Sequence, residues 1–172
     1  MSDADPPWAG LASRVVRVVL ARKDFSYAQL SEELSSVRVK ESERSLASRV
    51  SRGRIKLELL LQILSVTGAK IPSLWDEALC APGTWEHRAS AVVAAELSRQ
   101  PTVTIDELAL RMVRLGADLT EKTLVSHLSQ GTLSLPEFLQ CLVALGSSSL
   151  ERYVDYEDLI AAAHVTNNVQ VE

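Results

Sequence analysis

A chain of 172 residues, 47% hydrophobic and 23% charged, has the composition of one packed domain or two small ones and excludes a disordered chain. The net charge of −4 hides an asymmetry: twelve Lys/Arg face six Asp/Glu between Trp8 and Trp75, and six face twelve from Cys80 onward, so two surfaces with different partners are expected. No apolar run reaches the roughly 18 residues that span a bilayer, and MSDADPPW lacks the parts of a signal peptide; cytoplasmic residence without a membrane partner is expected.

In chain order, residues 1–7 read as a disordered N-terminus. Apolar residues at helical spacing predict a first helix over about 9–22. Ser26-Tyr-Ala-Gln29 is a capping box, with the hydroxyl accepting from an orphan backbone N–H and the Gln reaching back, so a second helix starts there. A third starts at the N-cap Ser42 and ends at Gly53; an apolar fourth runs over about 56–67 and is closed by Gly68. SLWDEAL at 73–79 predicts a short extra helix, and the Pro-Gly segment 80–84 a linker.

The same order then repeats. Helices are predicted over about 86–99, from Thr104 with a second capping box to Glu107, from Thr120 to Gly131, and over about 134–145 from the box Ser134-Leu-Pro-Glu137 to Gly146. A last helix is expected over about 150–164, and a flexible tail over 166–172. At an offset of 77, then 78 after one inserted residue, eighteen positions are identical, clearest in LLQILSVTG at 60–68 against FLQCLVALG at 138–146. The expected fold is therefore all-α, two tandem units of four to five helices: a basic N-terminal domain over 8–79 and an acidic C-terminal domain over 85–165.

No catalytic constellation is legible. The three histidines are scattered, Cys80 and Cys141 have no metal-ligand spacing, and no nucleotide-binding or nucleophile motif occurs, so neither an enzyme nor a cofactor or metal is expected. Cys141 stands where the first copy has Ile63 and is expected to be buried. Trp8, Trp75 and Trp85 flank the units and are expected to pack at the base of each bundle.

In copy one, the capped helix SYAQLSEEL, a turn, the helix SERSLASRVSRG and the apolar helix LELLLQILSVTG resemble the Cro and phage-repressor type of helix-turn-helix domain. The tandem pattern is most similar to an uncharacterised bacterial family built on this unit. One departure is shared by both copies: Leu30 to Leu46 and Leu108 to Leu124 are sixteen apart, where the usual motif has about eleven, so about five residues are added around the turn. The resemblance implies double-stranded DNA as partner and a third helix that faces it.

The residues support that direction independently. Burying Leu46 and Val50 at i, i+4 leaves Arg44, Ser45, Ser48, Arg49 and Arg52 for the outward face, followed by Arg54 and Lys56. Arginines can read guanine edges or bind phosphate, and serines permit close approach. Tyr27 and Gln29 sit where a phosphate could meet the orphan N–H groups of the second helix, and Arg38 and Lys40 in the turn could reach the DNA backbone. The reading is a sequence-specific DNA-binding transcriptional regulator that uses the third helix of its N-terminal repeat. In copy two most of this charge is gone: Lys122, His127, Gln130, Thr132 and Ser134 replace Arg44, Arg49, Arg52, Arg54 and Lys56. That repeat is expected to pair with the other copy, a second chain or a protein partner, or else to stabilise copy one by packing. The alternative is a protein-interaction adaptor or anti-activator made of degenerate helix-turn-helix repeats.

Overall fold

The computed structural model describes residues 7–169, with side chains described to 165. Among these residues there are ten α-helices, one turn of 3-10 helix and no β-strand. The first copy contributes α1 (Pro7–Arg22), α2 (Tyr27–Ser36), α3 (Glu43–Ser51) and α4 (Leu57–Thr67), then the 3-10 turn Ser73–Trp75 and α5 (Asp76–Cys80). The second contributes α6 (Trp85–Ser98), α7 (Ile105–Arg114), α8 (Glu121–Gln130), α9 (Leu135–Ala144) and α10 (Tyr156–Val169). No described helix is long and apolar enough to cross a membrane.

Most of the caps read from the sequence are formed. The Ser26 hydroxyl accepts the N–H of Gln29 at 3.1 Å, and the Gln29 side chain accepts the Ser26 N–H at 2.9 Å. Ser42, Thr84, Thr104, Thr120 and Ser134 each accept the N–H three residues on, an arrangement worth about 1 kcal/mol per helix. Two boxes differ. Glu107 pairs with Arg111 one turn on at 3.0 Å, and Glu137 accepts from the Ser134 hydroxyl.

The last helix also differs from its expected span. Residues 150–153 form a turn that buries Tyr153 and Val154, so α10 starts at Tyr156 and its backbone continues to Val169. Residue 7 likewise belongs to α1. Of the expected disordered ends, 1–6 and 170–172 lie outside the described residues.

The two copies do not form separate bundles. Within a copy, α2 packs on α3 and α4, and α7 on α8 and α9. The first helix of each copy bridges the two: α1 packs on α3 and α4 of its own copy and on α9 of the other, and α6 on α8 of its own copy and on α4 of the other. The segments that follow each repeat pack on these helices, α5 on α6 and α10 on α1 and α9. The buried apolar side chains of both copies form one continuous cluster. Sequence boundaries at 79 and 85 thus mark the repeat, while the core runs across them.

A pseudo-two-fold axis relates the copies and passes through Lys56 and Ser134, equivalent positions that form an isolated antiparallel bridge. The Leu57 N–H donates to the Leu133 carbonyl at 2.9 Å, and the Leu135 N–H to the Ile55 carbonyl at 2.8 Å. The first orphan donors of α4 and α9 are therefore each satisfied by the opposite copy. The tryptophans fasten the same interface. Trp8 Nε1 donates to the Leu115 carbonyl at 3.1 Å. Trp75 packs against Phe138 with ring centroids 5.8 Å apart and donates at 2.8 Å to the buried carboxylate of Glu96, which also accepts from Ser147 at 2.7 Å. Cys141 is buried, as its equivalence to Ile63 suggested, and burial pushes its thiol up to about 12, with the Glu96 carboxylate nearby adding to the shift; Cys80 is exposed.

Each first helix is seated on a glycine. Gly53 has φ +66°, and a Cβ there would overlap the Ala9 carbonyl; Gly131 has φ +68° and meets the Glu86 carbonyl in the same way. Gly68 has the same conformation, φ +67°, but open space around it. Gly68→Ala should cost only the left-handed strain, about 1 kcal/mol. Gly53→Ala should cost at least about 2 kcal/mol more, because α1 must lift from α3. Urea denaturation of the two variants checks this; equal losses would show that the Gly53–Ala9 contact carries no stability.

Candidate nucleic-acid interface

α3 is nine residues long and buries Leu46 and Val50 completely. Residues four apart stand roughly above one another, so Arg44, Ser48 and Arg52 form one stripe on the opposite side, and all three are exposed. The chain then passes the Gly53 turn into an extended stretch that carries Arg54 and Lys56 to the pseudo-dyad. Arg52, Arg54 and Lys56 line one open cavity of about 610 Å³, together with Ala9 from the start of α1 and Ser134 and Pro136 from the start of α9. Among the described residues, none of Arg44, Arg52, Arg54 or Lys56 is in a salt bridge.

Ser45 and Arg49 were expected on this face and are not there. Arg49 follows Leu46 by three residues, which puts it about 60° from that buried position on the helix, on the flank. Arg49 Nη1 is ion-paired with Glu41 Oε1, and the Ser45 hydroxyl lies 3.5 Å from Glu41 Oε2. Arg38 and Arg49 line a second cavity with Glu41, Glu58, Trp85 and Glu86, facing the first turn of α6. Glu58 is raised above the usual carboxylate range by burial and by Glu86, and the nearby Lys56 and Arg49 pull it back; Glu86 is held below that range, chiefly by its own backbone N–H. Three carboxylates face two arginines in this cavity, so it is net acidic and offers no phosphate site. In copy two the equivalent of Arg49, His127, is tethered in turn, 3.3 Å from Glu137.

The start of α2 is also closed to an anion in part, because the capping box uses both the Ser26 and the Gln29 N–H groups. Tyr27 is half-buried against the core beside Arg17, and burial raises its phenol. Gln29 and Lys40 are exposed, but no cavity groups them with the α3 stripe. The structure thus brings together Arg52, Arg54 and Lys56, continues them along Arg44 and Ser48, and sets Tyr27, Gln29, Arg38, Lys40, Ser45 and Arg49 apart.

Arg38 carries a signal that the sequence reading passed over. Its φ is +65°, a conformation that disfavours any side chain with a Cβ. The equivalent position in copy two is Gly116, φ +90°. Comparing the copies at that turn would have exposed the arginine as conformationally costly. Arg38→Gly should leave stability unchanged or raise it by up to about 1 kcal/mol in chemical denaturation; a clear loss would mean that the side chain itself holds the turn.

No curated protein and no solved structure matches the chain. One family model matches twice, over residues 8–71 and 85–150, which are the two copies of the repeat. The chain therefore belongs to the family described as a domain of unknown function, DUF6471, and carries that domain in tandem.

Proposed function

We propose that the protein is a double-stranded DNA-binding regulator whose contact surface is the outer stripe of α3 and the basic stretch that follows it. The observation that carries this reading is the run of Arg44, Arg52 and Arg54, none of them in a salt bridge, with Ser48 inside it and Lys56, which also acts on Glu58 and Glu86, at its end beside the junction of the copies. Cations with no carboxylate partner neutralise phosphates well, and short serines let a backbone come close. The sequence resemblance of residues 26–68 to repressor-type helix-turn-helix units points to the same class of partner, with a turn about five residues longer than that motif has.

Two-fold helix-turn-helix proteins place one reading helix on each half-site. In this reading the two related helices, α3 and α8, come from one chain and need no second copy. They are unequal. Lys122, Ser126, Gln130, Thr132 and Ser134 stand in copy two where copy one has Arg44, Ser48, Arg52, Arg54 and Lys56. In this reading copy one supplies the affinity and most of the base contacts, and the preferred site is asymmetric rather than palindromic.

Fluorescence anisotropy with a labelled mixed-sequence duplex tests the reading. Four phosphate-contacting cations give a slope of log K against log salt of about −3.6. The triple variant Arg44→Ala, Arg52→Ala, Arg54→Ala should flatten the slope to about −1 and weaken binding at least about tenfold near 100 mM salt. Arg49→Ala, which opens only the Glu41 pair, should change the slope by less than about one. Parent and triple variant binding alike, or no binding even at low salt, would sink the reading.

A further inference from the structure

The copies differ at a second place, one that the DNA reading does not use. Between α6, α7 and α8 lies an open groove of about 340 Å³ whose walls are Val93, Ala94, Leu97, Ile105, Val125 and Leu128. The equivalent positions of copy one are Val16, Arg17, Leu20, Tyr27, Ala47 and Val50. There Val16, Leu20 and Val50 are 0%, 6% and 0% exposed, and the half-buried Tyr27 ring packs on the core. Copy two has Ile105 in place of the Tyr27 ring and Ala94 in place of Arg17. Leu97 and Leu128 are only half-buried, Ala94 is exposed, and Val125, which replaces an alanine, is 46% exposed.

A fold that packs its own tyrosine on the core at this place in one copy, and leaves the groove apolar and open in the other, indicates what the open one accepts. We propose that the α6–α7–α8 groove docks a basic amphipathic helix of a partner protein, which inserts one aromatic side chain where copy one places Tyr27. Charge favours that partner. The half from Cys80 onward has twelve acidic and six basic residues, and exposed carboxylates neighbour the wall residues along their helices: Asp106 follows Ile105, and Glu121 lies one turn before Val125, with Lys122 the exposed cation next to it. An apolar wall with carboxylates nearby suits a helix with an aromatic anchor and flanking cations. The groove lies on copy two alone, so the proposal stands whether or not copy one binds DNA.

The test uses the full chain with Ile, Leu and Val methyl groups labelled for NMR. The probe is a synthetic lysine-leucine amphipathic helix of roughly fourteen residues with one central tryptophan. The expected result is saturable shifts of the Val93, Leu97, Ile105, Val125 and Leu128 methyls. Replacing the tryptophan by alanine, or the lysines by glutamates, should weaken binding at least about tenfold. Ala94→Arg with Ile105→Tyr, which restores the copy-one residues, should do the same while melting no lower than the parent. Val125→Glu, at an exposed position, provides a second block that leaves the core intact. Shifts spread over the acidic surface, binding unaffected by these variants, or no shifts at all would overturn the proposal. So would the same methyls responding to protein concentration without peptide, which would make a second copy the occupant.

Discussion

Two backbone hydrogen bonds, Leu57 to Leu133 and Leu135 to Ile55, join equivalent points of the repeat and fix how everything else is placed. They align the starts of α4 and α9 head to head, and each fourth helix then presents its apolar face to the first helix of the opposite copy. With α1 on α9 and α6 on α4, neither copy has a complete core of its own. Trp8, Trp75 and the buried Glu96 add polar links across the same boundary, so separating the copies would strand buried donors and a buried carboxylate as well as apolar surface.

This interlock explains why the copies could diverge so far on their surfaces. Positions that build the shared core or its close contacts are kept: Leu46 and Leu124, Leu57 and Leu135, Gly53 and Gly131. Positions that face solvent have gone separate ways. Copy one keeps an arginine stripe on its third helix and packs Tyr27 on the core, whereas copy two drops the stripe and leaves a groove open. On the readings proposed above, one half would meet a polyanion and the other an apolar, basic ligand, and a common core joins the two.

Much of the fold was legible because it is local. Caps such as Ser26–Gln29, the αL glycines at 53 and 131, and the i, i+4 pair Leu46/Val50 act within a few residues of themselves, and the offset of 77 to 78 residues is a property of the string alone. That each first helix also packs on the fourth helix of the other copy was not legible. A repeat shows that two helices are equivalent, and nothing in it says which copy a helix packs against. The site was half legible for a related reason. Spacing identifies the buried positions of α3 well, but treating every other residue as outward ignores the flanks, and Arg49 and Ser45 lie there, within reach of Glu41 in a loop whose path spacing does not determine. Glu107 left its capping box because Arg111 offered a charged partner one turn away.

Native-state amide hydrogen exchange on the intact chain tests the interlock most directly. Leu57 and Leu135 donate across the dyad, so their amides should exchange only through one global opening, with protection free energies equal to within about 0.5 kcal/mol and shared by the core of α1, α4, α6 and α9. If α6–α9 exchanged through a lower-energy opening while α1–α4 stayed protected, the copies would be independent domains, contradicting the shared core.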